Sequence, residues 1–167
     1  TTSELQNYIY GSAEVVGLLC LKIFYKDNQE EFLRLSIYAK KLGEAFQKVN
    51  FLRDIKQDFI DNERLYFKDI DFSDITEESK MRIINEIKED FTEAKKGIQS
   101  LKKDVRFGVF LAFNYYNALL QKIERKPANE LSTTRFRIST TQKLILILTT
   151  WFQHHFSSHG QKTKSQS

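Results

Sequence analysis

Between Leu35 and Phe59 an apolar residue returns every three or four positions, through Ala39, Leu42, Phe46, Val49, Leu52 and Ile55, with no proline among them. That spacing follows the 3.6-residue turn of an α-helix and lays one unbroken apolar stripe along it. A helix of this kind, about 30 residues from Glu30 to Ile60, is stable only when other elements cover the stripe. Breakers are scarce throughout, with one Pro and six Gly in 167 residues, which favours more helices over a turn-rich β architecture.

The rest of the chain supplies the partners. A first helix is expected from Ser3 to Tyr25, with apolar positions at Leu5, Ile9, Val16, Leu19 and Ile23, and Asp27 and Asn28 form the turn after it. Arg64 to Ser73 has no period and reads as a loop. Thr76, followed by Glu77 and Glu78, is a helix start with acidic residues in its first turn, and that helix extends to Leu101. A fourth helix is predicted from Val105 to Lys126, ending at Pro127, and a fifth from Thr140 to Phe156. Brief alternation from Arg135 to Ile138 is the only strand-like signal. The fold class is all-α, with residues 1–156 as one helical domain and 157–167 as a polar, disordered tail.

Composition narrows the function. A net charge of +4, scattered along the chain, is too small for the basic stripe that nucleic-acid binding needs. With Cys20 alone no intrachain disulfide can form, and its Leu19 and Leu21 neighbours mark it as a small buried residue. The longest apolar run, Leu144 to Leu148, is far short of a membrane span. A cytoplasmic location follows. His154 and His155 are adjacent and cannot share a helix face, which weighs against a metal site there, and Trp151 and the phenylalanines read as core or cavity lining.

The long helix contains NFLRDIKQD, from Asn50 to Asp58. Residues four apart drift by only about 40° around a helix, so Asn50, Asp54 and Asp58 share one stripe, with Gln47 between them in angle. Carboxylates one turn apart can share a hard divalent cation such as Mg²⁺, which completes its shell with water and phosphate oxygens. Arg53 and Arg64 could grip phosphate bidentately. On spacing alone a solvated acidic face is the commoner reading, and the motif by itself is weak.

The surroundings are more specific. AKKLGEAFQKVNFLRDIKQDFIDNERLYF resembles the second aspartate-rich region of the phytoene and squalene synthase family. That family carries an L-G-x-A-x-Q segment, then N-x-x-R-D-x-x-x-D, then an R-x-Y loop. YIYGSAEVVG, from Tyr8 to Gly17, resembles the family's Y-x-x-x-x-A-x-x-V-G helix, while Tyr116 and RFRISTTQK, from Arg135, resemble its C-terminal tyrosine and arginine region.

The resemblance implies an isoprenoid synthase-type helical bundle around a large apolar cavity, and a prenyltransferase that joins two prenyl diphosphates head to head. It assigns Asp54 and Asp58, with Asn50, to Mg²⁺ (or Mn²⁺), and Gln47, Asn50, Arg53, Arg64, Tyr116 and Arg135 to the diphosphate. Tyr8 takes a part in the cation chemistry or its proton handling. Two bland readings stand beside these: a core tyrosine for Tyr8 and a surface arginine for Arg135. Ala13 and Gly17 would let helices approach closely or leave room for a prenyl tail.

Phytoene synthesis from two geranylgeranyl diphosphates, in carotenoid biosynthesis, is the favoured activity. The alternatives are squalene or dehydrosqualene synthesis from farnesyl diphosphate and a non-catalytic truncated relative. Insoluble hydrocarbon products make peripheral membrane contact a hypothesis. The family's first aspartate cluster is not found: Asp69, Asp71 and Asp74 fall in a loop, and Asp90 and Asp104 stand isolated. The chain also opens without a Met. The expectation is a C-terminal portion of such an enzyme, with little activity on its own.

Overall fold

The computed structural model describes residues 13–61 and 75–156, apart from the side chains of 56–61 and 156. Five α-helices follow in chain order: α1 (Val15–Phe24), α2 (Gln29–Asp61), α3 (Glu77–Ser100), α4 (Lys103–Glu124) and α5 (Thr140–Phe156). A short 3-10 turn, Ala128–Glu130, precedes α5. Among the described residues there is no strand. The expected disordered tail, 157–167, lies outside them.

Side-chain chemistry explains most helix starts. Asn28 Oδ1 accepts from the Glu31 backbone N–H at 3.0 Å and opens α2. Thr76 and Ser79 exchange hydrogen bonds, each side chain accepting from the other's backbone at 3.1 Å, which satisfies two of the orphan donors at the start of α3. Ser139 and Gln142 do the same for α5 at 3.2 and 3.0 Å.

Consecutive helices run antiparallel, as contacts at both ends of each pair show. Gly17 of α1 meets Ala39 of α2, and Gly43 of α2 meets Ala13 just before α1. An added Cβ would stand 2.8 Å from the Ala39 carbonyl oxygen at Gly17 and 2.6 Å from that of Ala13 at Gly43. These small residues therefore set the α1–α2 distance. Gly97 of α3 similarly lies under Tyr38 of α2, where an added Cβ would come within 2.2 Å of the tyrosine Cβ. Lys88 of α3 pairs with Glu124 of α4 at 2.6 Å, while Phe91 packs edge-on against Phe113. Asn114 of α4 donates to the buried Thr150 of α5 at 2.8 Å.

The main core joins Val49, Leu52 and Ile55 of α2 to Ile83, Ile84 and Ile87 of α3 and Leu119, Leu120 and Ile123 of α4. A second cluster closes the other end of the bundle, around Leu21, Tyr25, Leu35 and Leu101. There the Lys102 backbone N–H donates to the Tyr25 hydroxyl at 3.0 Å, tying the α3–α4 junction to the end of α1.

Several expectations are corrected. Cys20 is exposed, on the side of α1 that also carries exposed Val16, Leu19 and Ile23. Trp151 and Phe152 are not core: they join Leu144, Ile145 and Leu148 on an uncovered face of α5. The alternation from Arg135 to Ile138 is real, yet it forms no strand. Phe136 and Ile138 are buried while Arg135 and Arg137 face out, so the segment is an extended strap laid on the core. No helix among the described residues is long and apolar enough to cross a membrane.

Candidate functional site

A cavity of about 680 Å³ runs between α1, α2, α3 and α4. One end is lined by Leu21, Phe24, Leu35, Leu101, Asp104 and Val105, and the other by Gln47, Asn50 and Tyr116. From Leu35 to Asn50 along α2 is about 22 Å at 1.5 Å per residue. The walls between are apolar or small, with Leu42, Gly43, Phe46, Gly97, Gly108 and Ala112 among them. The volume falls within the usual range for ligand pockets, roughly 300–1,000 Å³. A long, largely apolar space with Gln47 and Asn50 at one end suits an amphiphile with a polar head.

Phe46 stacks on Tyr116 at 4.0 Å between ring centroids, and both line the polar half of the cavity. Asn50 sits one turn further along α2. Its Oδ1 is buried and accepts no hydrogen bond from the described residues. A buried acceptor left unmade costs about 1–3 kcal/mol, so the position carries a strain that packing does not require.

Asp54 follows after another turn, between two arginines. Arg53 Nε donates to both of its carboxylate oxygens at 3.1 Å, with a further contact from Nη2 to Oδ2. Arg135 Nε reaches Asp54 Oδ1 at 2.8 Å from the strap. The hydrogen bond to Asp54 raises the Arg53 guanidinium above its ordinary value, so its charge is fixed across any working pH. The strap is placed by burial of Leu131, Phe136 and Ile138, and Lys122 donates to the Arg137 carbonyl at 2.7 Å.

The sequence-based set thus divides. Gln47, Asn50 and Tyr116 come together at the cavity. Arg53, Asp54 and Arg135 form an ion-paired group one turn beyond. Asp58 lies in α2, but its side chain, Tyr8 and Arg64 fall outside the described residues. Asn50 Oδ1 and the Asp54 carboxylate are hard oxygen donors one turn apart, and one of them has no partner among the described residues. That donor set fits Mg²⁺.

A second acidic group gathers around Asp90, which the sequence shows as isolated. Glu44, Glu86 and Asp90 each bring a carboxylate oxygen within 4.8 Å of the others. Lys48 lies among them, 2.9, 2.5 and 2.7 Å from Glu44, Glu86 and Asp90, and Lys41 bonds Glu44 and Asp90 at 2.8 Å each. Burial alone would lower the Lys48 ammonium's pKa, but the three carboxylates outweigh it and raise it. The ammonium groups hold the place a cation would take, so this is a tie between α2 and α3. Asp104, also taken as isolated, stands at the cavity wall.

The squalene/phytoene synthase family model matches residues 1–68, which include the Asn50–Asp58 motif. Over that stretch the chain is similar to the squalene/phytoene synthase family. The 15-cis-phytoene synthase of Synechocystis sp. is 26% identical over 92% of this chain and 52% of that protein. Phytoene synthase 1, chloroplastic, of Solanum lycopersicum is 29% identical over 86% of this chain and 39% of that protein. A 4,4'-diapophytoene synthase of Staphylococcus haemolyticus is 40% identical over 40% of this chain and 22% of that protein. The chain spans about half or less of the length of the curated relatives it matches.

Proposed function

We propose that the chain forms part of a phytoene synthase-like prenyltransferase, holding geranylgeranyl diphosphate with its tail in the cavity and its diphosphate at the Asn50 end. Head-to-head condensation of two such molecules gives phytoene. The observation that carries this reading is the buried Asn50 Oδ1, without a partner among the described residues, at one end of a largely apolar cavity.

Asn50, Asp54 and Asp58 would hold Mg²⁺, with Mn²⁺ as a substitute, and Gln47 would support them. When bound, the metal supplies positive charge that stabilises the departing diphosphate. Arg53 and Arg135 add guanidinium donors beside the same carboxylate, in the planar geometry that suits phosphate oxygens. Arg64 belongs to the same diphosphate contacts, and Tyr8 to the handling of the carbocation. The apolar walls exclude water from the reactive cation, and the stacked faces of Phe46 and Tyr116 offer it quadrupolar stabilisation.

Calorimetric titration of the chain with geranylgeranyl diphosphate, with and without Mg²⁺, tests the reading. Mg²⁺-dependent binding that disappears in Asp54→Ala and Asn50→Ala is expected. Binding indifferent to Mg²⁺ and to both substitutions would overturn it. Tighter binding of farnesyl diphosphate in the same titration would shift the substrate to the shorter prenyl chain. Peripheral membrane contact belongs to the same reading, and sedimentation with liposomes at low salt checks it, absence of binding counting against it.

A further inference from the structure

Lys80 is buried near the start of α3, only 2% exposed. An apolar side chain would fill the same place without taking an ammonium out of water. A cation there is also opposed by the positive end of the helix dipole. Its partners explain it. Lys80 Nζ donates to the Lys126 carbonyl at 2.5 Å and to the Glu124 carbonyl at 3.3 Å, and pairs with Glu77 at 2.7 Å. All three ammonium protons thus have an acceptor. The other Glu77 oxygen accepts from the Ala128 backbone N–H at 2.5 Å. Pro127, between Lys126 and Ala128, has its φ fixed by its ring. Two side chains of α3 therefore hold the chain on both sides of Pro127 as it leaves α4.

That exit decides where the strap begins. Ala128–Glu130 forms the 3-10 turn, Leu131 is fully buried, and four residues later Arg135 Nε reaches Asp54 Oδ1 at 2.8 Å. The backbone N–H groups of Glu130, Leu131, Thr133 and Thr134 bond back to Pro127, Ala128 and Glu130, within the segment itself. The segment thus takes its direction from its two ends. One is the α3 grip at Lys126 and Ala128, and the other is Lys122, which donates to the Arg137 carbonyl at 2.7 Å.

We propose that Lys80 and Glu77 are positioning residues for Arg135, gripping the root of the strap so that its guanidinium meets the Asp54 carboxylate. This rests on the reading of the Asp54 site as the diphosphate end of the cavity. Both residues act through the strap and touch no ligand.

Calorimetric titration with inorganic diphosphate in Mg²⁺ tests it, on the 167-residue chain, on Lys80→Met, Glu77→Ala and Arg135→Ala, and on each of the first two combined with Arg135→Ala. Far-ultraviolet circular dichroism checks that every variant keeps its helices. Lys80→Met and Glu77→Ala should each weaken binding by about fivefold or more, and neither should weaken it further once Arg135 is gone, because groups acting through one contact are not additive. Glu77→Gln keeps an oxygen for the Ala128 N–H and should recover part of the Glu77→Ala loss. Losses that add to that of Arg135→Ala, or unchanged binding in folded Lys80→Met and Glu77→Ala chains, overturn the positioning role and leave the diphosphate reading intact. Full binding by Arg135→Ala also overturns the proposal alone. If the unchanged chain binds no diphosphate in Mg²⁺, the reading of the site falls and the proposal with it. Should Lys80→Met fail to fold, Glu77→Ala decides by the same comparison, since its side chain is 58% exposed.

Discussion

Arg135 Nε lies 2.8 Å from Asp54 Oδ1, joining the strap before α5 to the motif helix α2. Arg53 holds the same carboxylate from the next position on α2. The pair brings together two segments that the sequence alone could connect only by resemblance. Arg135 is 42% exposed, so the contact contributes little to stability, about 0–1 kcal/mol.

Arg135→Ala should therefore leave the urea midpoint almost unchanged while weakening Mg²⁺-dependent binding of inorganic diphosphate about tenfold. Arg135→Lys should not restore it, since an ammonium lacks the planar fork. Full binding by either variant would place Arg135 outside the diphosphate contacts.

Asn50→Leu should raise stability by about 1 kcal/mol, because it removes a buried acceptor that no described residue satisfies. The same change should abolish the Mg²⁺ dependence of binding. Urea denaturation and calorimetry on one protein sample read both effects. A destabilised Asn50→Leu chain would mean that Oδ1 has a partner after all.

The glycines should separate by sign. Gly108→Ala is expected to stabilise the chain by up to about 1 kcal/mol, through helix propensity alone, since an added Cβ there meets no heavy atom within 4 Å. Gly17→Ala, Gly43→Ala and Gly97→Ala are expected to destabilise it by about 1–3 kcal/mol, as helices are forced apart. Thermal melts of the four variants would show it, and a stabilised Gly43→Ala would contradict the close approach of α1 and α2.

The Lys48 group makes stability depend on pH at both extremes. Burial pushes the Glu44 carboxyl up, but hydrogen bonds from Lys41 and Lys48 outweigh it, and the net shift is below the ordinary 4.5. A depressed carboxylate contributes stability that is present above 4.5 and lost as pH falls through its folded value. The raised Lys48 contributes stability below its ordinary 10.5, lost as pH rises through its folded value. Lys48→Ala should cost about 1–3 kcal/mol at neutral pH, because Glu44 and Asp90 then keep only Lys41 as a partner. Under the same conditions Lys48→Ala should also show a smaller loss of stability on acidification than the unchanged chain. Denaturation midpoints across the pH range measure both.

How much of this was readable in advance depends on the range of the interaction. Periodicity and capping act within a few residues, so the helix from Thr76 and the bounds of α5 followed directly from the sequence. Partner choice does not. Cys20, Trp151 and Phe152 sit on apolar stripes that look like core, but a stripe says which residues share a face and not whether another element covers it. Asp90 seemed isolated because its partners Lys41 and Lys48 lie on another helix, 49 and 42 positions away. Asn50 was named for its place in a motif, whereas its unmet acceptor is visible only once α2 is packed.

The bracketing of Asp54 has a thermodynamic consequence. A cation arriving at that carboxylate does not meet a bare charge; it displaces guanidinium groups already bonded there. An incoming diphosphate meets the same arginines and is helped by their release. Each ligand thus frees the partner the other needs, and by linkage the affinity of either should rise in the presence of its companion by one common factor. On the proposed reading the site would behave as a two-way exchange, with the order of addition leaving the final complex unchanged and neither component binding strongly alone.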